Sequence, residues 1–110
     1  MNPVRPACPV RKFGLSVYKN GISNGAWYYT YVLLSETKGN FYTGTSKNLD
    51  QRVKQHNDGL VFSTKNIRPL QLIYFESCLN KEDTYRRERY LKSGMGKRYL
   101  RNRLRGGLTG

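Results

Sequence analysis

Acidic residues are scarce in this sequence: seven Asp and Glu stand against twenty Lys and Arg, a formal charge of +13 on 110 residues. A field of that sign and size draws polyanions and repels a second copy of itself. Histidine is scarcer still, at one residue, and the two cysteines, Cys8 and Cys78, sit at no metal-ligand spacing. A Cys/His zinc cluster and a disulfide framework are thereby excluded, and the thiols are expected to be reduced, in a cytoplasmic protein with no disulfide-linked partner. The seven acids, Glu36, Asp50, Asp58, Glu76, Glu82, Asp83 and Glu88, do not cluster along the chain. That argues against a two-metal centre, which needs several converging carboxylates. A one-metal site stays open, because Mg²⁺ often takes one or two carboxylates and fills its other positions with water and substrate phosphate oxygens. No Gly-rich phosphate loop and no G-x-S-x-G occurs. Also lacking are an apolar run of about 18 residues and a helix that pairs a wholly apolar face with a basic one, so no membrane partner is expected. The first 26 residues carry Arg5, Arg11, Lys12 and Lys19 but no apolar stretch of signal-peptide type.

The charge leaves nucleic acid as the leading partner, and the length leaves room for one domain with a modest core. Three of the four prolines and Gly14, Gly21 and Gly25 fall within residues 1–26, without apolar periodicity. A disordered basic tail is expected there, followed by a domain over residues 27–105 and a flexible C-terminus over 106–110. Residues 27–34 are an aromatic and branched run that reads as a strand, with Tyr29, Tyr31 and Leu33 on one face. A turn at Lys38-Gly39-Asn40 and a second strand from Phe41 complete an antiparallel hairpin. Asn48 caps a short helix with Gln51 three residues on, and Leu49 and Val53 form its apolar stripe until Asp58-Gly59. A basic loop over residues 63–69 leads to the run 70–75, nearly all apolar, which suits a strand buried on both faces, in the sheet centre or against a helix. Asn80, with Asp83 in the box position, caps a helix to about Lys92; Ser93-Gly94 stops it, and a last basic helix runs from Gly96 or Lys97 to Leu104. The order β-β-α-β-α-α predicts an α+β fold: a three-stranded antiparallel sheet flanked by helices.

Several pieces of this chain together resemble the GIY-YIG nuclease superfamily, in its small stand-alone bacterial branch. They are Tyr29-Thr30-Tyr31, Tyr42-Thr43-Gly44, a helix bearing Arg52 and His56 within Gln55-His56-Asn57, Ser63-Thr64-Lys65-Asn66 with Arg68-Pro69, Arg86-Arg87-Glu88 and Leu91-Lys92-Ser93-Gly94. The resemblance spans residues 28–104, and the joint order and spacing carry it rather than any one piece. It implies an endonuclease that hydrolyses phosphodiester bonds in DNA or RNA with one divalent ion, Mg²⁺ or Mn²⁺. Tyr31 and Tyr42 correspond to the tyrosines of the two triads and would help activate the attacking water. An unperturbed phenol is mostly protonated at neutral pH and needs a cation, a metal-bound water or a base beside it, and His56 and Arg52 are candidates for that help. Arg52 would bind the scissile phosphate, and Glu88 would be both the metal ligand and a catalytic group. Lacking a side chain, Gly44 would let substrate or backbone come close.

Two positions depart from the wider family: Thr45 stands where some branches carry Lys, and Asn102 is, by spacing only, the candidate for a supporting Asn. Substrate contacts are expected from Gly44, Lys65, Arg68, Arg86, Arg87, Lys92 and Asn102, within a basic surface concentrated in the last two helices. With no base-reading module, recognition by shape, flap or single strand is expected in preference to recognition by sequence. The competing readings are a catalytically silent nucleic-acid binder of the same fold and a basic protein that docks on a ribonucleoprotein or acidic partner.

Overall fold

The computed structural model describes residues 27–109; the tail expected over residues 1–26 and Cys8 lie outside the described residues. Three strands, β1 (Tyr28–Ser35), β2 (Phe41–Ser46) and β3 (Leu70–Cys78), form one antiparallel sheet in the order β2-β1-β3. Helix α1 (Leu49–Asn57) follows β2, a single 3-10 turn (Lys65–Ile67) precedes β3, and α2 (Lys81–Lys92), α3 (Gly94–Arg103) and α4 (Arg105–Thr109) close the chain. The expected α+β class and the β-β-α-β-α-α order hold, with a further helical turn beyond Gly106 where the sequence suggested that order ends.

Local chemistry explains most boundaries. Gly39 takes φ +78, the left-handed conformation that a tight hairpin turn requires and that a side chain disfavours. Asn48 Oδ1 accepts from the Gln51 amide at 3.2 Å and Asn80 Oδ1 from the Asp83 amide at 3.0 Å, so each helix begins at an Asn cap that satisfies an otherwise orphaned N–H. Ser93 serves two helices at once. Its hydroxyl donates to Tyr90 O at 2.6 Å and accepts from the Gly96 amide at 3.2 Å, so α3 starts at Gly94, two or three residues earlier than expected. A Cβ on Gly96 would lie 2.0 Å from Tyr90 O, and only glycine permits so close a junction between α2 and α3.

The strand that is buried on both faces is β1. Residues 30–33 of β1 are all buried, whereas β3 is an edge strand of mostly intermediate exposure and runs three residues longer than expected. The expectation that β3 could fill the sheet centre is therefore corrected. Both segments are apolar runs, and the pairing of β1 with two neighbours decides which is enclosed. Side chains of β1 alternate between two cores. Tyr31 and Leu33 pack with Leu70 under Leu49 and Val53 of α1, while Val32 packs with Leu91 of α2 and Leu100 of α3. A register shift between Val32 and Leu33 lets Ile73 join the second cluster and Leu72 the first.

Candidate active site

In the β1–β2 register Tyr31 lies opposite Gly44 and Leu33 opposite Tyr42. Both tyrosines therefore point to the α1 side of the sheet. The Tyr31 ring lies across β2 at the one residue without a side chain: a Cβ built on Gly44 would come within 2.6 Å of the Tyr31 hydroxyl.

From above, α1 presents His56. The sequence places this residue at the edge of an apolar stripe, but the structure buries it completely, as the one fully enclosed residue of its helix. Tyr31 Oη and His56 Nε2 are 2.8 Å apart, His56 Nδ1 is 2.7 Å from Thr64 Oγ1, and the edge-on Tyr42 ring has its centroid 5.0 Å from the imidazole. Thr64 Oγ1 is itself turned towards Val61 O at 3.5 Å, so its proton is directed away from the histidine. The arrangement thus favours the Nδ1–H tautomer: Nδ1 donates to Thr64, and Nε2 accepts the Tyr31 proton.

Electrostatics agree with that assignment. Burial, with the positive charge of Arg52 adding to it, pulls His56 down to about 4, so the imidazole is neutral near pH 7. Burial also pushes the Tyr31 phenol above its ordinary value; the hydrogen bond and charge of Arg52 oppose the rise, and Tyr42 and Glu88 add to it. Arg52, Tyr42 and Glu88 are thus all close enough to act on one phenol. Glu88 reaches it from α2, which packs on the other side of the sheet and touches both β1 and β2. Arg52 is half-buried, with Nη1 donating to Gln55 Oε1 at 3.1 Å.

The expected substrate residues divide. Lys65 and Arg68 line an open cleft of about 420 Å³ with Asn57, Asn66 and Pro69. Arg68 Nε donates to Lys65 O at 2.8 Å, and its Nη1 lies 2.7 Å from where a Cβ on Gly59 would be. Lys92 is 3.1 Å from Glu88 Oε2 in the i, i+4 pair that the sequence allows, yet its side chain is 54% exposed. Arg86 is exposed and pairs with Asp83, and Asn102 is exposed in the last turn of α3. Arg87 is only about one-third exposed and is held in place. Its Nε donates to both oxygens of Glu76 at 2.9 Å and its guanidinium stacks over Tyr90 and Tyr99, with the Tyr74 phenol bonded to the same carboxylate. These partners give it a structural role, in contrast to the solvent-facing Arg86, and it is left out of the phosphate contacts proposed below.

Two supporting residues carry no role in the sequence reading. Thr64 is fully buried and fixes the imidazole orientation. Asn57 exchanges two hydrogen bonds with the Leu70 backbone, Nδ2 to Leu70 O at 2.9 Å and Leu70 N to Oδ1 at 2.8 Å, which ties the end of α1 to the start of β3. The motifs Gln55-His56-Asn57 and Ser63-Thr64 held the signal, but a polar residue beside a turn has no visible partner until the chain folds.

Among the described residues no three His, Cys, Asp or Glu converge as a metal cluster, Cys78 is a free thiol, and no helix is long and apolar enough to cross a membrane.

Known proteins resemble this chain along most of the described region. Residues 27–102 match the GIY-YIG catalytic domain. The UPF0213 protein of Clostridium perfringens is 38% identical over 65 residues, covering 58% of this chain and 69% of its own. A UPF0213 protein of Pediococcus acidilactici is 35% identical over 85 residues, covering 72% of this chain and 84% of its own. A solution NMR structure of a UPF0213 protein from Bacillus halodurans is 30% identical, covers 67% of this chain and 81% of that one, and superposes with a TM-score of 0.43. Matched over nearly all of its described residues, the chain belongs to the GIY-YIG catalytic-domain family, a family of nucleases, among the small bacterial UPF0213 proteins.

Proposed function

We propose that this protein is a metal-dependent endonuclease that hydrolyses phosphodiester bonds in DNA, with RNA as the other candidate substrate, and selects nucleic acid by structure rather than by sequence. The observation that carries the reading is the buried Tyr31–His56 hydrogen bond at 2.8 Å, set within the reach of Arg52 and Glu88. A phenol held protonated by burial gains nothing from a histidine in packing terms that an apolar pair would not supply. As a proton acceptor, a neutral imidazole is well suited to it.

In the proposed mechanism water attacks phosphorus and passes a proton to the Tyr31 oxygen as the Tyr31 proton moves to His56 Nε2. Thr64 and Tyr42 hold the imidazole in line for that transfer. Arg52 binds the phosphate, where its planar fork stabilises charge that grows in the transition state. Once the phosphate neutralises Arg52, that guanidinium opposes protonation of His56 less, so substrate itself primes the base. Glu88 is the residue that would hold Mg²⁺ or Mn²⁺, and the ion would supply positive charge to the leaving oxygen. The donor set fits a hard ion with one protein carboxylate, because the Lys92 that neutralises Glu88 is exposed and free to swing aside. Lys65, Arg68, Arg86 and Lys92 are proposed contacts to the phosphate backbone.

The test is cleavage of labelled flapped, branched, single-stranded and duplex DNA and RNA with Mg²⁺, Mn²⁺ or EDTA, comparing wild type with Glu88→Ala and Tyr42→Phe. Metal-dependent cutting that both variants lose, with affinity nearly intact, supports the nuclease. Tight, salt-sensitive binding without cutting under any condition replaces it with the catalytically silent binder.

A further inference from the structure

The α1-side face of the sheet is covered only in part. Leu49 and Val53 lie over Tyr31, Leu33 and Leu70. Phe75, the cross-strand partner of Tyr31 on β3, shares its face and yet is 50% exposed. Tyr29, two residues before Tyr31 on the same face, meets Phe75 edge to face with centroids 6.0 Å apart. Two aromatic rings therefore form a partly open floor beside the phenol of the proposed active site. Burial does not account for the position of Phe75, since a half-exposed phenyl on an edge strand gains only part of its transfer free energy.

We infer that Tyr29 and Phe75 form a stacking platform for an unpaired nucleobase next to the phosphate held at Tyr31, so that the substrate is single-stranded at the cleavage point. This inference rests on the nuclease reading for its location but not for its own test. A sheet face that displays aromatics beside a cationic surface is how single strands are commonly held, because every base offers a π-face and the charges follow the backbone. The net charge of +13 supplies the second half of that chemistry, and on the nuclease reading Arg52, close enough to act on the Tyr31 phenol, would hold the phosphate that lies beside the platform. A base inside a duplex is already stacked on both sides and cannot reach the floor without leaving its pair.

The experiment measures binding, in EDTA and with Glu88→Ala in the background so that nothing is cut. The probes are a short thymidine oligonucleotide and a phosphodiester chain of equal length in which tetrahydrofuran replaces every nucleoside. Stacking predicts that the full-length protein prefers the thymidine strand by about 5- to 100-fold. Phe75→Ala and Phe75→Leu should bind both probes alike, at the affinity of the baseless chain, and Phe75→Tyr should restore the preference. Leucine keeps the apolar packing without a π-face, so loss of the preference in Phe75→Leu is not a folding defect. Equal binding of the two probes by the parent, or a preference that survives Phe75→Leu, overturns the platform. Cleavage by wild type alongside that result would leave the nuclease standing, and a clean stacking signal in a protein that never cuts would remove only the nuclease.

Discussion

Under α1, Tyr31 buries its phenol against an imidazole; one residue later in the same strand, Val32 buries against Leu91 and Leu100 on the opposite side of the sheet. The second core contains the ordinary hydrophobic contacts that hold α2 and α3 to the sheet. In the first, a buried tyrosine, histidine and threonine bond to one another in a chain that ends on a backbone carbonyl. A buried polar network of that kind stabilises less than apolar side chains of similar volume would, and it is costly when any member is removed. Apart from Glu88, which α2 contributes, the groups given chemical roles thus lie on one side and most of the apolar anchoring of the helices on the other, and the two should respond differently to mutation.

The largest effect should come from the groups given chemical roles. Glu88→Ala is expected to lower the cleavage rate at least about a hundredfold, while thermal unfolding shifts far less than for a core truncation, because the carboxylate's ion-pair partner Lys92 is itself 54% exposed. Leu100→Ala should do the opposite: a loss of about 2–5 kcal/mol in denaturant unfolding, with cleavage per folded molecule retained. If both variants lost activity and stability in parallel, the contrast between the two sides would be wrong.

Acid should act on the chemical side through His56. With His56 at about 4 in the folded protein and near 6.5 when unfolded, the unfolded state binds the extra proton as pH falls. The associated stability is fully present above pH 6.5, falls as pH drops towards 4 and then levels off, a change on the order of 3 kcal/mol at most. Because the chain has a single histidine, its imidazole NMR titration is unambiguous, and a midpoint near 6.5 would show that the ring is not buried neutral.

Smaller effects sharpen the comparison. Gly44→Ala places a methyl against the Tyr31 hydroxyl and should cost about 1–3 kcal/mol, with a loss of cleavage larger than that stability loss explains. Arg86→Ala should leave stability nearly unchanged and reduce the salt dependence of nucleic-acid binding by about one unit of log–log slope, whereas Arg87→Ala should mainly destabilise, because it strands Glu76.

Much of this was legible in the sequence because the signals are local. Asn48 and Asn80 cap helices by bonding to amides three residues away, and Gly39 turns a hairpin within five residues, so short stretches suffice to place them. Central and edge strands were not separable, since β1 and β3 are both apolar runs and differ only in how many neighbours each pairs with. Arg86 and Arg87 are adjacent and identical in type, yet one faces solvent and the other meets Glu76 eleven residues away and Tyr99 on another helix. Nothing in the local pattern separates them.

The sequence by itself determined the charge, the element order and the residue types available for catalysis, because composition, periodicity and capping act within a few residues of chain. Only the tertiary structure decided that His56 is buried and neutral, that Thr64 orients it, that Gly44 makes room for the Tyr31 ring, and that Phe75 stays half exposed beside it. Each of these depends on desolvation or contact between segments distant in sequence, and a pKa or a hydrogen-bond partner is fixed by what surrounds a group in space.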